Sequence, residues 1–164
     1  MYSLRSNSFS MSKHKIYFRL FIFLLIGAWC IGFSLKSLSG GSALSLVSSP
    51  ILNLFYHNVC HQADHKLIIV NGFSLLVCAR CSGIYLGALI TSVFVLISLW
   101  NIKVSLILFK FALIILVADV IINNIIFNDY NKFSAFFTGL FFGAVCFLII
   151  ISIIENYILI KKQL

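Results

Sequence analysis

The sequence predicts an all-α membrane protein with four transmembrane helices, a short interfacial helix and a small β-hairpin in the first loop. Of its 164 residues, 62% are hydrophobic and only 10% are charged, whereas soluble domains carry about 25% charged residues. Four apolar runs approach the roughly 20 residues that a helix needs to cross the hydrocarbon core. A soluble domain of this length could not bury so much apolar surface, so we expect the lipid bilayer to be its main solvent and partner.

The predicted spans belong to one integral membrane domain, residues 1–164, and cover about 16–35, 82–100, 104–127 and 133–154. Short connections between the last three spans predict antiparallel neighbours. The first run is too long for a cleaved signal peptide and has no small-residue cleavage site. Because Lys and Arg collect near both chain ends, the positive-inside rule predicts that both termini lie in the cytoplasm. The loop at about 39–81 is then outside.

This first loop contains a predicted helix and hairpin. Pro50 is tolerated in a first helical turn, and the apolar residues after it predict a short helix on the membrane surface. Two β-favouring runs, 66–70 and 73–77, are joined by Asn71-Gly72. Both turn residues accept the positive φ of a tight two-residue turn, so the segment predicts a β-hairpin.

Four soft metal ligands flank this hairpin: Cys60 and His61 precede it, and Cys78 and Cys81 follow it. Thiolates and imidazole bind zinc and similar metals, and a C-x-x-C pair also cycles between dithiol and disulfide. A hairpin would bring the two pairs together. Adjacent Cys60 and His61 strain simultaneous ligation, so His57, with H-x-x-C spacing to Cys60, is an alternative ligand.

Three interpretations of this cluster stay open at the level of the sequence. It is a site for zinc or another transition metal, a redox centre, or a structural disulfide among packed thiols. In the redox interpretation the helix dipole and Arg80 lower the pKa of the Cys78 and Cys81 thiols, and Cys60 serves as the resolving thiol.

The residues of the cluster resemble a known family, the uncharacterised prokaryotic integral-membrane proteins of domain-of-unknown-function family 2085. Its signature is Cys-His-Gln, a basic residue four positions later, a Gly, and Cys-x-Arg-Cys-[Ser/Thr]-Gly-Ile-Tyr-x-Gly. These elements fall here on residues 60–62, Lys66, Gly72 and 78–87. Lys66 replaces the family's usual Arg and loses its bidentate fork. The resemblance implies a membrane location without an established activity, and it favours His61 over His57 as partner of the cysteines.

Two polar residues lie inside the third predicted span, Asp119 and, one turn later on the same face, Asn123. An intramembrane carboxylate is costly unless it is paired, protonated or facing a wet cavity. Asp119 is therefore either a proton or cation relay or a packing group bonded to Asn123. The family resemblance extends to Asp119 and to Thr-Gly-x-x-x-Gly at 138–143, with Ala135 near the place of an Arg often seen there.

Two GxxxG motifs occur, Gly83/Gly87 in the second predicted span and Gly139/Gly143 in the fourth. Small residues one turn apart let helix backbones approach closely. The motifs predict that these two spans pack together, and they also offer faces for a homo-oligomer or a membrane-protein partner.

The predicted function is a non-enzymatic membrane protein with a structural or sensing Cys/His metal site at the membrane boundary. One alternative is a membrane thiol–disulfide oxidoreductase using Cys78 and Cys81, and a second is a small ion or proton transporter using Asp119. The chain contains no phosphate-binding loop, nucleophile elbow or H-E-x-x-H. Its net charge of +8 is dispersed at the ends of apolar runs, which argues against a nucleic-acid partner.

Overall fold

The protein is mostly helical with one small antiparallel hairpin, as the sequence predicts. A computed structural model describes residues 3–38, 43–97, 106–123 and 130–161. In chain order the elements are α1 (Ser3–Leu38), α2 (Ala43–His57), a 3-10 turn (Asp64–Lys66), β1 (Leu67–Val70), β2 (Phe73–Cys78), α3 (Ala79–Ile97), α4 (Leu106–Ile121) and α5 (Lys132–Lys161).

Among the described residues, three helical segments are long and apolar enough to cross a membrane, rather than the four predicted. They are Ile16–Leu38 of α1, Ala79–Ile97 of α3 and Lys132–Tyr157 of α5. The third predicted span corresponds to α4, which has 16 residues. At 1.5 Å per residue it is about 24 Å long, short of a hydrocarbon core of about 30 Å. The predicted connections and span ends that fall on 39–42, 98–105 and 124–129 lie outside the described residues.

The predicted interfacial helix is present as α2, but it begins at Ala43, so Pro50 lies inside it rather than in its first turn. Pro50 costs the helix one backbone hydrogen bond. Tyr56, near the end of α2, fixes the helix to α1 because its hydroxyl donates a 2.9 Å hydrogen bond to the Trp29 carbonyl oxygen. Gly32 makes this approach feasible, since a Cβ there would overlap the Tyr56 hydroxyl.

The two GxxxG motifs form the α3–α5 contact, the most extensive helix contact in the fold, which confirms the predicted packing of these segments. A Cβ at Gly87 would overlap the Leu140 carbonyl oxygen, and a Cβ at Gly143 would overlap that of Ile84. The two helices therefore run parallel with their backbones in contact. Each motif is covered by the other helix within the chain, and a homo-oligomer or membrane-protein partner stays a prediction.

A buried ion pair joins three helices at the end of the fold remote from the hairpin. The Arg19 guanidinium donates from Nε to Glu155 Oε1 at 2.6 Å and from Nη2 to Oε2 at 3.0 Å. Its Nη1 also donates to the Val95 carbonyl oxygen at 2.8 Å. Arg19 lies early in α1, whereas the other two lie late in α3 and α5. The long helix α1 therefore runs antiparallel to α3 and α5.

The hairpin forms at the predicted turn. Asn71 and Gly72 have φ values of 53° and 80°, as a tight two-residue hairpin turn requires. Val70 pairs with Phe73 and Ile69 with Ser74, but Leu67 pairs with Cys78. One residue of β1 thus faces three of β2. This bulge bends β2 and brings Cys78 to the base of the hairpin, directly before α3.

Candidate metal centre

Three cysteine sulfurs converge where the hairpin meets α3. The Sγ atoms of Cys60, Cys78 and Cys81 all lie within 4.8 Å of one another. Cys60 is buried, and the other two are half-buried. None of the three forms a disulfide. The structure therefore brings together three of the four predicted ligands.

Each thiol is held by a different element. Cys60 follows α2, and its backbone N–H donates to the Tyr56 carbonyl oxygen at 2.9 Å. Cys78 ends β2, and Cys81 lies in the first turn of α3. The backbone N–H of Cys78 donates to the Cys60 sulfur at 3.2 Å. This N–H···S bond fixes the Cys60 sulfur beside the end of β2.

Gln62 holds the segment after Cys60 against the hairpin. Its side-chain Nε2 donates to the Leu76 carbonyl oxygen at 2.7 Å, and its backbone adopts the left-handed region with φ of 47°. The family signature contains Gln62, but the spacing of its residues did not indicate a role for this side chain. The hydrogen bond from Gln62 to Leu76 therefore fixes the position of Cys60 relative to β2.

Hydrogen bonding within the cluster favours ionisation of one thiol. The hydrogen bond with the Cys81 thiol lowers the pKa of Cys78 to about 5. Burial opposes this shift, while the Cys60 thiol and backbone N–H groups assist it. The Cys78 thiol therefore ionises more readily than an ordinary cysteine thiol.

The predicted histidine ligands lie apart from the three sulfurs. Both His61 and His57 are exposed. Neither belongs to the group of mutually close ligand atoms in the described part of the chain. The chain turns at Gln62 immediately after His61. Among the described residues, the ligand atoms that converge at this site are all cysteine sulfurs.

Arg80, between the two cysteines of the C-x-x-C, contacts α4 rather than the sulfurs. Its Nη2 donates to Asp119 Oδ2 at 2.6 Å. The other carboxylate oxygen, Oδ1, accepts from Asn123 Nδ2 at 2.7 Å and from the Ser134 hydroxyl. The predicted Asp119–Asn123 contact is present, and the ion pair with Arg80 compensates the buried carboxylate. Asp119 thereby ties the starts of α3 and α5 to the end of α4, which runs antiparallel to both.

Two basic residues converge on Tyr130, just before α5. The Lys66 Nζ atom lies 5.2 Å from the centroid of the Tyr130 ring, and the Arg80 guanidinium carbon lies 5.9 Å from it. Nearby, Lys132 Nζ donates to the Leu67 carbonyl oxygen at 2.7 Å and links β1 to α5. The sequence offered no signal for Tyr130 or Lys132, because their partners are distant along the chain.

An aromatic cluster closes the membrane side of the thiol site. Trp29, Phe33, Tyr56 and Tyr85 pack with ring centroids 4.8–6.3 Å apart. Cys60 belongs to the same buried core, and the other two thiols pack against it. The three sulfurs therefore border the buried core, and Cys78 and Cys81 keep partial exposure.

Comparison with known proteins adds one result. A family described as "Predicted membrane protein (DUF2085)" matches residues 60–149, beginning at the first cysteine of the site. No curated protein and no solved structure matches the chain at a significant level. The match confirms the resemblance identified in the sequence.

Proposed function

The chain belongs to the family of predicted membrane proteins with domain of unknown function 2085, and because that description assigns no activity, we propose a function from the geometry of its thiols. The protein is a membrane protein whose Cys60, Cys78 and Cys81 bind a thiophilic transition metal at the membrane boundary. The site has a structural or sensing role. The mutual approach of the three sulfurs within 4.8 Å is the observation that carries this proposal.

The spacing of the sulfurs suits a metal of the size of zinc. With Zn–S bonds near 2.3 Å, tetrahedral ligands lie about 3.8 Å apart. Small rotations of the cysteine side chains close the present spacing to that value. The low pKa of Cys78 reduces the cost of holding a thiolate there. Soft thiolates select zinc or Cu(I) over hard cations.

Within the described residues, no further Cys, His, Asp or Glu side chain converges with the three sulfurs to fill a fourth coordination position. In this proposal a water or an external ligand occupies it, as in zinc sites that keep one position open. His61 stands one residue from Cys60 but is exposed. An open position distinguishes an exchangeable or sensing site from a closed structural one.

Elemental analysis of the purified protein tests this proposal. We expect close to one equivalent of bound metal per chain, lost in Cys78→Ser and kept in the control Cys146→Ser, whose thiol lies outside the cluster. A chain free of metal that also fails to take up Zn²⁺ or Cu(I) after reduction would contradict the proposal.

A thiol–disulfide oxidoreductase is the second candidate, favoured by the third thiol beside a low-pKa cysteine. In that reaction the Cys78 and Cys81 thiols form one S–S bond and pass two electrons and two protons to a membrane quinone, which becomes a hydroquinone. Cys60 would resolve mixed disulfides. An oxidising outer compartment favours this chemistry over zinc thiolates. Thiol counting before and after addition of a quinone to the reduced, metal-free protein separates the two candidates.

The transporter alternative has less support from the geometry. Asp119 is engaged by Arg80, Asn123 and Ser134, so its carboxylate acts as a packing and pairing group. The proposed location is a prokaryotic cytoplasmic membrane with the thiol site outside. The part of α1 that carries Arg19 contacts the part of α5 that carries Glu155. This contact supports placing both helix ends on the cytoplasmic side.

A further inference from the structure

The basic residues around Tyr130 form an incomplete electrostatic site beside the thiol cluster. Lys66 and Arg80 both approach one ring. The nearby carboxylate, Asp119, has both oxygens occupied by Arg80, Asn123 and Ser134. Within the described residues Lys66 forms no ion pair. Lys66 and Arg80 therefore bring two positive charges to one ring, and of the two only Arg80 is ion-paired within the described residues.

Hydrogen-bond donors at the same place also lack partners. Arg80 Nε and the Tyr130 hydroxyl are buried atoms without a hydrogen-bond partner among the described residues. Burial raises the pKa of Tyr130, so the hydroxyl keeps its proton and remains a donor. A buried donor without a hydrogen-bond partner is unfavourable, because it has lost its bonds to water. Two such donors next to an unpaired ammonium are the features of a site for an oxyanion.

An apolar groove lies between the segments that follow Lys66 and Tyr130 in the chain. It has a volume of about 440 Å³ and lies between β1 and the start of α5, lined by Ile68, Ile69, Lys132, Phe133 and Phe136. Lys66 immediately precedes one wall of the groove, and Tyr130 comes just before the other. The hydrogen bond from Lys132 to the Leu67 carbonyl oxygen links α5 to β1, the two walls of the groove. Phe133 and Ile69 are 78% and 66% exposed, so the groove offers apolar side chains to an external ligand.

We propose that Lys66, Arg80 and Tyr130 bind the phosphate of an anionic phospholipid whose acyl chain lies in the groove between β1 and α5. The combination of an oxyanion site with an apolar groove fits an amphipathic ligand better than a free ion. Basic and aromatic residues at the membrane boundary are the groups that contact lipid headgroups. The bound lipid would complete the wall of the thiol site on the side of Arg80.

Native mass spectrometry of protein released from nanodiscs tests this assignment. The nanodiscs contain phosphatidylcholine alone or phosphatidylcholine with phosphatidylglycerol. We expect one retained phosphatidylglycerol, and about fivefold less retention in Lys66→Gln, since one Lys contributes roughly 1 kcal/mol to anionic-lipid binding. Lys110→Gln, which removes an exposed lysine from α4, is the matched control and should retain the lipid.

Two further arms separate the headgroup from the chain and from a free ion. Ile69→Asn should lower phosphatidylglycerol retention, whereas Ile51→Asn, an equally exposed apolar residue on α2, should not. Lys66→Arg keeps the charge and should keep the lipid, which guards against a folding defect. Equal retention in Lys66→Gln and wild type would overturn the proposal. Saturable binding of inorganic phosphate without lipid retention would overturn it in favour of a free oxyanion. Neither outcome touches the metal content that tests the thiol site.

Discussion

Arg80 and Asp119 form an ion pair, with Nη2 and Oδ2 2.6 Å apart, that joins the C-x-x-C segment to the end of α4. The Arg80 backbone is fixed as well, because its carbonyl oxygen lies where a Cβ on Gly139 of α5 would stand. Arg80 is thus fixed by α4 through its side chain and by α5 through its backbone. Both constraints act on the same turn that presents Cys78 and Cys81.

Removing the carboxylate should destabilise this end of the fold. Asp119→Asn leaves the Arg80 charge without its counter-ion, and we expect a loss of about 2–4 kcal/mol, below the range for a fully buried pair because Arg80 keeps some exposure. The midpoint of thermal or dodecyl-sulfate unfolding measures this loss. Asp64→Asn, at an exposed carboxylate, is the control. Equal midpoints for the two variants would show that the ion pair contributes little.

The pair at the other end of the fold should be more costly to break. Arg19 and Glu155 are both about 5% exposed, so Glu155→Met alone leaves a buried guanidinium and should cost about 3–5 kcal/mol. The double variant Arg19→Met/Glu155→Met should recover much of this loss, because two apolar side chains replace two charges. A double-mutant cycle in detergent measures the coupling, and strictly additive losses would argue against a compensating pair.

The glycines between α3 and α5 should tolerate no side chain. Gly87→Ala places a methyl group on the Leu140 carbonyl oxygen and should cost about 2 kcal/mol or more. Gly27→Ala is the matched control, since its new Cβ meets only a Leu89 methyl group at 3.9 Å. Unfolding midpoints compare the two. Similar values would mean that the α3–α5 backbones are not in close contact.

The hairpin turn should depend on backbone conformation alone. Nothing lies within 4 Å of a Cβ built at Gly72, whose φ is 80°. Gly72→Val therefore tests the left-handed conformation without a clash, and should destabilise the hairpin by about 1–2 kcal/mol. Gly72→Asn, which accepts this conformation, should cost less. Hydrogen exchange of β1 and β2 amides reports the difference, and identical exchange in both variants would exclude the assigned turn.

The proposed orientation predicts opposite labelling at the two ends of the fold. In a variant without the native cysteines, Asn58→Cys after α2 should react with an impermeant maleimide in whole cells. Tyr157→Cys, exposed near the end of α5, should react only after lysis. The opposite pattern would invert the membrane topology and place the thiol site in the cytoplasm.

Local chemistry made the hairpin and most of the site predictable. The Asn71-Gly72 turn depends on adjacent residues, so spacing alone was enough to predict that Cys60 would meet the C-x-x-C pair. The direction of the His61 side chain could not be predicted from spacing. It depends on the turn at Gln62, whose φ is positive and whose side chain bonds to Leu76. A signature shows which residues occur together but does not show which way each side chain points.

Contacts between residues distant in sequence could not be predicted from hydrophobic periodicity. Arg80 and Asp119 are 39 positions apart, and Arg19 and Glu155 are 136 apart. Each charged group by itself resembles an interfacial or functional residue, and only the folded chain pairs them. The apolar run around α4 likewise predicted a full span, because hydropathy does not reveal where regular helical hydrogen bonding ends.

The Arg19–Glu155 pair has a consequence for biogenesis. At 5–20 residues per second, the ribosome needs on the order of ten seconds to synthesise the segment between them. During that interval the Arg19 guanidinium has no Glu155 carboxylate with which to pair. A chain truncated before Glu155 never receives it. The last helix therefore supplies the counter-ion of a charge buried in the first, and we expect copies that lack it to be less stable than finished ones.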